Sequence, residues 1–151
     1  MKKMLHLLSL LTLALLVNGV NAQTSVKRYG SEKSIIANAI WVGDTLYLSG
    51  QLPSPIAGDT KTQTISTLNV IDGILKEHAL GMGDIIQMRV YLVGDAAQGG
   101  KLDFAGMNEA YKQFFGTKEQ PNKPVRATIQ AAALVVPNAL VEIEVVAVRS
   151  K

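Results

Sequence analysis

Three features of the sequence predict an α/β domain in which a mixed sheet carries both helices on one face. Two separated stretches repeat apolar residues at three- and four-residue spacing, several short runs are rich in Val, Ile and aromatic residues, and the two kinds alternate along the chain. With 151 residues, 48% hydrophobic and 18% charged, the chain suits one compact domain and not a disordered or fibrous class.

The opening "MKKMLHLLSLLTLALLVNGVNA" stands apart from that domain. It begins with Lys2 and Lys3, continues through an apolar stretch from Leu5 to Val17, and leaves through small residues, with Val20 and Ala22 placed for a signal peptidase. The apolar stretch is shorter than the roughly 18 to 20 residues of a spanning helix. Residues 1–22 therefore read as a signal peptide and 23–151 as the working domain, which places the protein in the periplasm or outside the cell. Cleavage removes Lys2 and Lys3 from 15 basic residues set against 12 acidic ones, so the charge falls from +3 to about +1. Such a chain has little electrostatic pull on nucleic acid or anionic membranes. Cysteine is absent, which excludes disulfides, thiol catalysis and thiolate metal sites.

After a polar lead from Gln23 to Ser34, "IIANAIWVGDTLYLSGQLP" predicts two strands around a turn at Gly43-Asp44. "SPIAGDTKTQ" is loop-like, and Ile65, Leu68, Ile71, Leu75 and Ala79 then mark one face of a helix that Gly81 would cap. "DIIQMRVYLVGD" predicts a strand. Asp103 is placed to N-cap a second helix with a face of Phe104, Met107, Asn108, Tyr111, Phe114 and Phe115, ended by Gly116. Two strands close the order, Val125–Leu134 and Leu140–Val148, joined through "VVPNA". Along the last strand Val141, Ile143, Val145 and Ala147 face one way, and Leu140, Glu142, Glu144, Val146 and Val148 the other. Both faces are largely apolar, so the face without helices is expected to meet another subunit.

Little in the chain offers familiar catalytic chemistry. The domain keeps one histidine, His78, placed near a helix C-terminus where a surface imidazole is favourable, and this leaves no material for a Ser-His-Asp relay or a multi-histidine metal site. "VGDAAQGGK" lacks phosphate-loop spacing, and Asp84, Asp95 and Asp103 sit at element borders as turn and cap residues. What stands out is charge set into apolar strands: Arg126, sharing a face with Thr128, Gln130 and Ala132, and the pair Glu142 and Glu144. A charge in such a place needs a partner or a ligand, because leaving it unpaired costs on the order of several kcal/mol.

"LYLSGQLP", "MNEAYKQFF", "PNKPVRATIQAAAL" and "LVEIEVVAVRS" resemble, in the same order, segments of the RidA/YjgF reactive intermediate deaminases. The resemblance covers nearly all of the chain after residue 22. It implies a chorismate-mutase-like α/β fold assembled as a homotrimer, with active sites in the clefts between subunits. It also implies hydrolysis of 2-imino and 2-enamino acids to 2-keto acids and ammonia without metal or organic cofactor. By the same resemblance Arg126 binds the substrate carboxylate and Glu142 handles the attacking water. Ser49 and Gly50 belong to an "SGQ" turn lining the pocket, Asn108 matches an asparagine of the second helix, and Thr128 stands where several members carry cysteine. Ile36 departs from the pattern, occupying the place of an expected tyrosine that shapes the site.

Residue chemistry agrees with those roles. A planar guanidinium binds a carboxylate through two parallel charge-assisted bonds, and a glutamate can deprotonate a water aimed at a protonated imine. Arg126 and Glu142 open antiparallel strands, an arrangement that predicts a separation on the order of 20 Å within one subunit and hence a site completed by a neighbour. A non-catalytic protein that binds small carboxylates is the other function compatible with these residues. A ribonuclease draws no support from the low charge and single histidine.

Overall fold

The computed structural model describes residues 24–150; the expected signal peptide lies outside them. A six-stranded mixed sheet has the spatial order β1-β2-β3-β6-β4-β5. Its strands are β1 (Val26–Tyr29), β2 (Ala39–Val42), β3 (Thr45–Gln51), β4 (Ile85–Val93), β5 (Val125–Ala131) and β6 (Val141–Val148). Neighbours pair antiparallel except β4 and β5, which run parallel. The hairpin around Gly43 is as expected, with Gly43 at φ 58, a left-handed conformation that suits glycine. β1 is a correction to the polar lead. All four of its residues are exposed at the sheet edge, so no alternation of buried and solvated positions marks it.

Helix α1 (Thr60–Glu77) begins earlier than its apolar pattern. Asp59 caps it by accepting from Thr62 N at 2.8 Å. The first turns bury Thr60, Gln63, Thr64 and Thr67 in place of aliphatic residues. The hydroxyls of Thr64 and Thr67 return to the carbonyls of Thr60 and Gln63, which lets them go inside the core. At the other end, Ala79 and not Gly81 takes the left-handed turn, at φ 55. Leu80 N donates to Leu75 O and Ala79 N to Lys76 O, a Schellman closure that lays Leu80 back on the core. Gly81 instead precedes a short 3-10 turn in which Asp84 accepts its N–H.

Helix α2 (Phe104–Tyr111) is capped by Asp103 as expected, through Gly106 N at 2.8 Å. It stops four residues short of Phe115, and the chain goes on in tight turns that bond Phe114 N and Phe115 N to Tyr111 O. Phe115 is nonetheless buried and stacks on Tyr111 with centroids 4.6 Å apart. The apolar face was legible; its helical extent was not.

Both helices cover one sheet face. Leu68, Ile71 and Leu75 of α1 and Met107 of α2 pack with Leu46, Leu48, Met88, Val90, Leu92, Val141, Ile143, Val145 and Ala147 in one core cluster. On β6 the alternation holds, with 141, 143, 145 and 147 buried and the residues between them half-buried on the open face. Tyr47 and Ile129 also expose large apolar side chains.

Candidate functional site

Arg126 sits second on the edge strand β5 and opposite Met88, a core residue, so its side chain emerges on the helix-covered face. There α2 holds it. Arg126 Nη2 donates to Asn108 Oδ1 at 2.7 Å, and Nη1 lies 3.6 Å from Met107 Sδ. The guanidinium carbon stands 4.5 Å from the Tyr111 ring centroid and 5.8 Å from that of Phe104. Residues 104, 107, 108 and 111 lie at three- and four-residue spacing, so one short helix supplies every one of these contacts. Burial pushes the Tyr111 hydroxyl pKa up, and the nearby Arg126 charge only partly offsets it. Among the described residues no carboxylate pairs with Arg126, so a cation fixed by an amide and two rings keeps N–H donors for a ligand.

Two positions along β5, on the same face, Thr128 Oγ1 is buried without a hydrogen-bond partner. A hydroxyl in that state is a donor and acceptor in want of a partner, close to the unused guanidinium donors. Gln130, next on that face, is structural. Its side chain accepts from Leu102 N and donates to Gly100 O, tying down the loop before α2.

Glu142 belongs to the opposite face, since it pairs with Tyr91 on β4 and alternates with the core residues Val141 and Ile143. Its carboxylate lies directly over Gly50, where a Cβ would overlap it. Gly50 falls at an irregularity in the β3–β6 register, where Leu48 pairs with Val145 and Gln51 with Ile143. An extra residue on β3 bulges the strand there. The expected "SGQ" turn is thus the bulged end of β3. Ser49 Oγ donates to Ala37 O at 2.6 Å and fastens the loop carrying Ile36, which is 62% exposed.

Glu144, on the same face as Glu142, is engaged differently. Arg89 Nη1 pairs with its Oε1 at 2.7 Å and Tyr91 OH donates to the same oxygen at 3.0 Å. That hydrogen bond is the main reason the Tyr91 hydroxyl pKa is raised. Of the two strand glutamates, only Glu142 has no such partner. His78 caps α1, with its Nδ1 3.4 Å from Trp41 Nε1.

The structure therefore brings Arg126, Asn108 and Thr128 together on one side of the sheet, and Glu142, Gly50 and Ser49 together elsewhere. Arg126 is level with Met88 and Glu142 with Tyr91, three positions along β4. With two strand spacings between them, their Cα atoms are about 14 Å apart, on opposite faces. The separation is shorter than the sequence implies, because β5 and β6 overlap only from the level of Gln87 to that of Leu92 on β4 and each residue lies one position in from its strand's start. The Gly50–Glu142 approach and the aromatic cradle of Arg126 are invisible to motif reading, although the spacing of Phe104 and Tyr111 already put both rings on the helix face that carries Asn108.

Residues 31–149 match the family model described as Endoribonuclease L-PSP. The chain is 35% identical over 114 residues to TdcF of Escherichia coli (strain K12), a protein named as a reactive intermediate deaminase, with 72% of this chain and 82% of that one covered. It is 33% identical over 117 residues to a RutC family protein of Pyrococcus horikoshii, covering 74% and 84%. Among solved structures, E. coli TdcF with bound serine superposes with a TM-score of 0.67 at 31% identity, over 84% of this chain and 98% of that one. A YjgF family member from Neisseria meningitidis gives 0.68 at 26% identity, over 85% and 98%.

Proposed function

The chain belongs to the YjgF/RidA family, and on that premise we propose that it hydrolyses small 2-imino and 2-enamino acids to 2-keto acids and ammonia. The observation that carries this is Arg126, a positioned guanidinium with free donors and no carboxylate of its own. A substrate carboxylate binds those donors in two parallel charge-assisted bonds, and Thr128 Oγ1 adds a third contact. This fixes the imine carbon. Glu142 takes a proton from a water as its oxygen adds to that carbon, giving a carbinolamine. The same carboxyl returns the proton to nitrogen; as the C–N bond breaks, the regenerated carboxylate takes the hydroxyl proton, so the C=O of the keto acid forms, and that proton leaves with ammonia.

The position of Arg126 and Glu142 on opposite faces supports a homotrimer in which each site takes its arginine from one protomer and its glutamate from the next. With residues 1–22 as a signal peptide, the reaction takes place in the periplasm or outside the cell. The ribonuclease activity named in the family model's description draws nothing from a domain of about +1 charge.

The test is keto-acid release by the protein lacking residues 1–22, from imines made in situ by an amino-acid oxidase. Wild type accelerates release. Arg126→Ala and Glu142→Gln each reduce the rate by about 100-fold or more, to near the uncatalysed level. Wild type at the enzyme-free rate across several imines, with keto acids still bound through Arg126, would establish the non-catalytic carboxylate-binding function instead.

A further inference from the structure

A cleft of about 490 Å³ opens beside Ser49 and Gly50, between the loop carrying Ile36 and the C-terminal end of α1. Its size falls in the range of about 300 to 1,000 Å³ typical of small-ligand clefts. A methyl or hydroxymethyl group would fill little of it. Apolar surface comes from Tyr29, Ile36 and Ile74, and polar groups from Glu77 and His78. Gly50 connects this cleft to the reaction centre, because the same residue lines the cleft and lies against the Glu142 carboxylate.

The cleft's aromatic wall is already ordered. His78 meets the Tyr29 ring edge-on, with centroids 4.7 Å apart and planes at 79°. Trp41 Nε1–H donates to its Nδ1 at 3.4 Å, so the imidazole is held by both Trp41 and Tyr29. Helix capping accounts for the position of His78, but not for the unfilled volume beside it. A ring entering the cleft would meet two isoleucines and two aromatic rings, an environment that suits offset or edge-on packing.

Building on the deaminase reading above, we propose that this cleft is the substrate side-chain pocket, and that it selects 2-imino acids with aromatic side chains over those with methyl-sized ones. A carboxylate held by the neighbour's Arg126 and an imine carbon beside Glu142 leave the side chain to pass over Gly50 into the cleft. A side chain at position 50 would instead run into the Glu142 carboxylate.

The experiment measures binding of phenylpyruvate and pyruvate, the corresponding keto-acid products, by titration calorimetry on the protein lacking residues 1–22. Product binding does not depend on turnover, so its outcome is separable from that of the imine assay. Phenylpyruvate is expected to bind about tenfold or more tightly than pyruvate. Ile74→Trp, which fills the cleft, lowers phenylpyruvate affinity far more than pyruvate affinity and so removes the preference. Ile74 also packs on the core, so the exposed Glu77→Trp is run beside it and is expected to weaken phenylpyruvate more than pyruvate. Arg126→Ala abolishes binding of both. Equal affinities in wild type, a preference that survives both tryptophans, phenylpyruvate binding that survives Arg126→Ala, or no binding of either acid would each overturn the pocket. Keto-acid release from imines would still judge the deaminase reading alone.

Discussion

Gly50 and Glu142 have no sequence relation, yet a Cβ on the first would occupy the space of the second's carboxylate. Gly50→Ala should therefore move the Glu142 side chain while leaving the sheet intact. A displacement of about 1 Å at a catalytic group is enough to lower turnover about 100-fold. The expected result is near-normal thermal stability with that loss of keto-acid release; full activity would separate Glu142 from the chemistry. At this scale the sequence showed residue identities and missed their neighbours. Arg126 and Glu142 were conspicuous because each breaks an apolar strand. That Glu144 is occupied by Arg89 and Tyr91, while Glu142 is not, depends on the β4–β6 register, which no spacing within one strand encodes.

The elements were legible wherever burial followed hydrophobicity and failed where it did not. β6 alternates as its sequence does, whereas the first half of α1 buries threonines whose hydroxyls are satisfied within the helix, and β1 buries nothing. The caps at the two ends of α1 make separate predictions. Ala79 holds a left-handed conformation that costs an alanine about 1 kcal/mol and a glycine little, so Ala79→Gly should raise stability by about that amount in urea unfolding. Unchanged stability would show that the turn is not strained. At the other end Thr62, through side-chain and then backbone hydrogen bonding, holds the Asp59 carboxyl below its ordinary pKa. A folded-state pKa below the unfolded one gives stability that is present at neutral pH and lost as pH falls through the carboxylate range, about pH 4 and below. Asp59→Ala should cost about 1 kcal/mol at pH 7 and less at pH 3, while Asp59→Asn keeps a cap and shows a flatter acid dependence. Parallel pH curves for wild type and Asp59→Asn would remove the carboxylate from the account.

For the whole molecule, the sheet itself separates the chemistry. Arg126 is held by Asn108 of α2 and shares its sheet face with Thr128, while the Glu142 carboxylate lies against Gly50 on the face that no helix covers, where Tyr47 and Ile129 are also exposed. A second copy that covers that face with the edge carrying its own Arg126 would complete a site and bury the apolar surface together. Subunit mixing tests this directly. Arg126→Ala keeps a sound glutamate side, and Glu142→Gln keeps a sound arginine side. If they are unfolded together and refolded at equal concentrations, random cyclic trimers would have both sound halves at about one interface in four. Keto-acid release should therefore return to about a quarter of the wild-type rate, from two proteins that are each inactive alone. If the two residues acted within one protomer, every site in the mixture would lack one of them and no activity would return, whatever the oligomer. Recovery that appears only after co-refolding, in a species that sediments as a trimer, would show that the arginine strand and the glutamate strand of this sheet work on substrates held by two different neighbours.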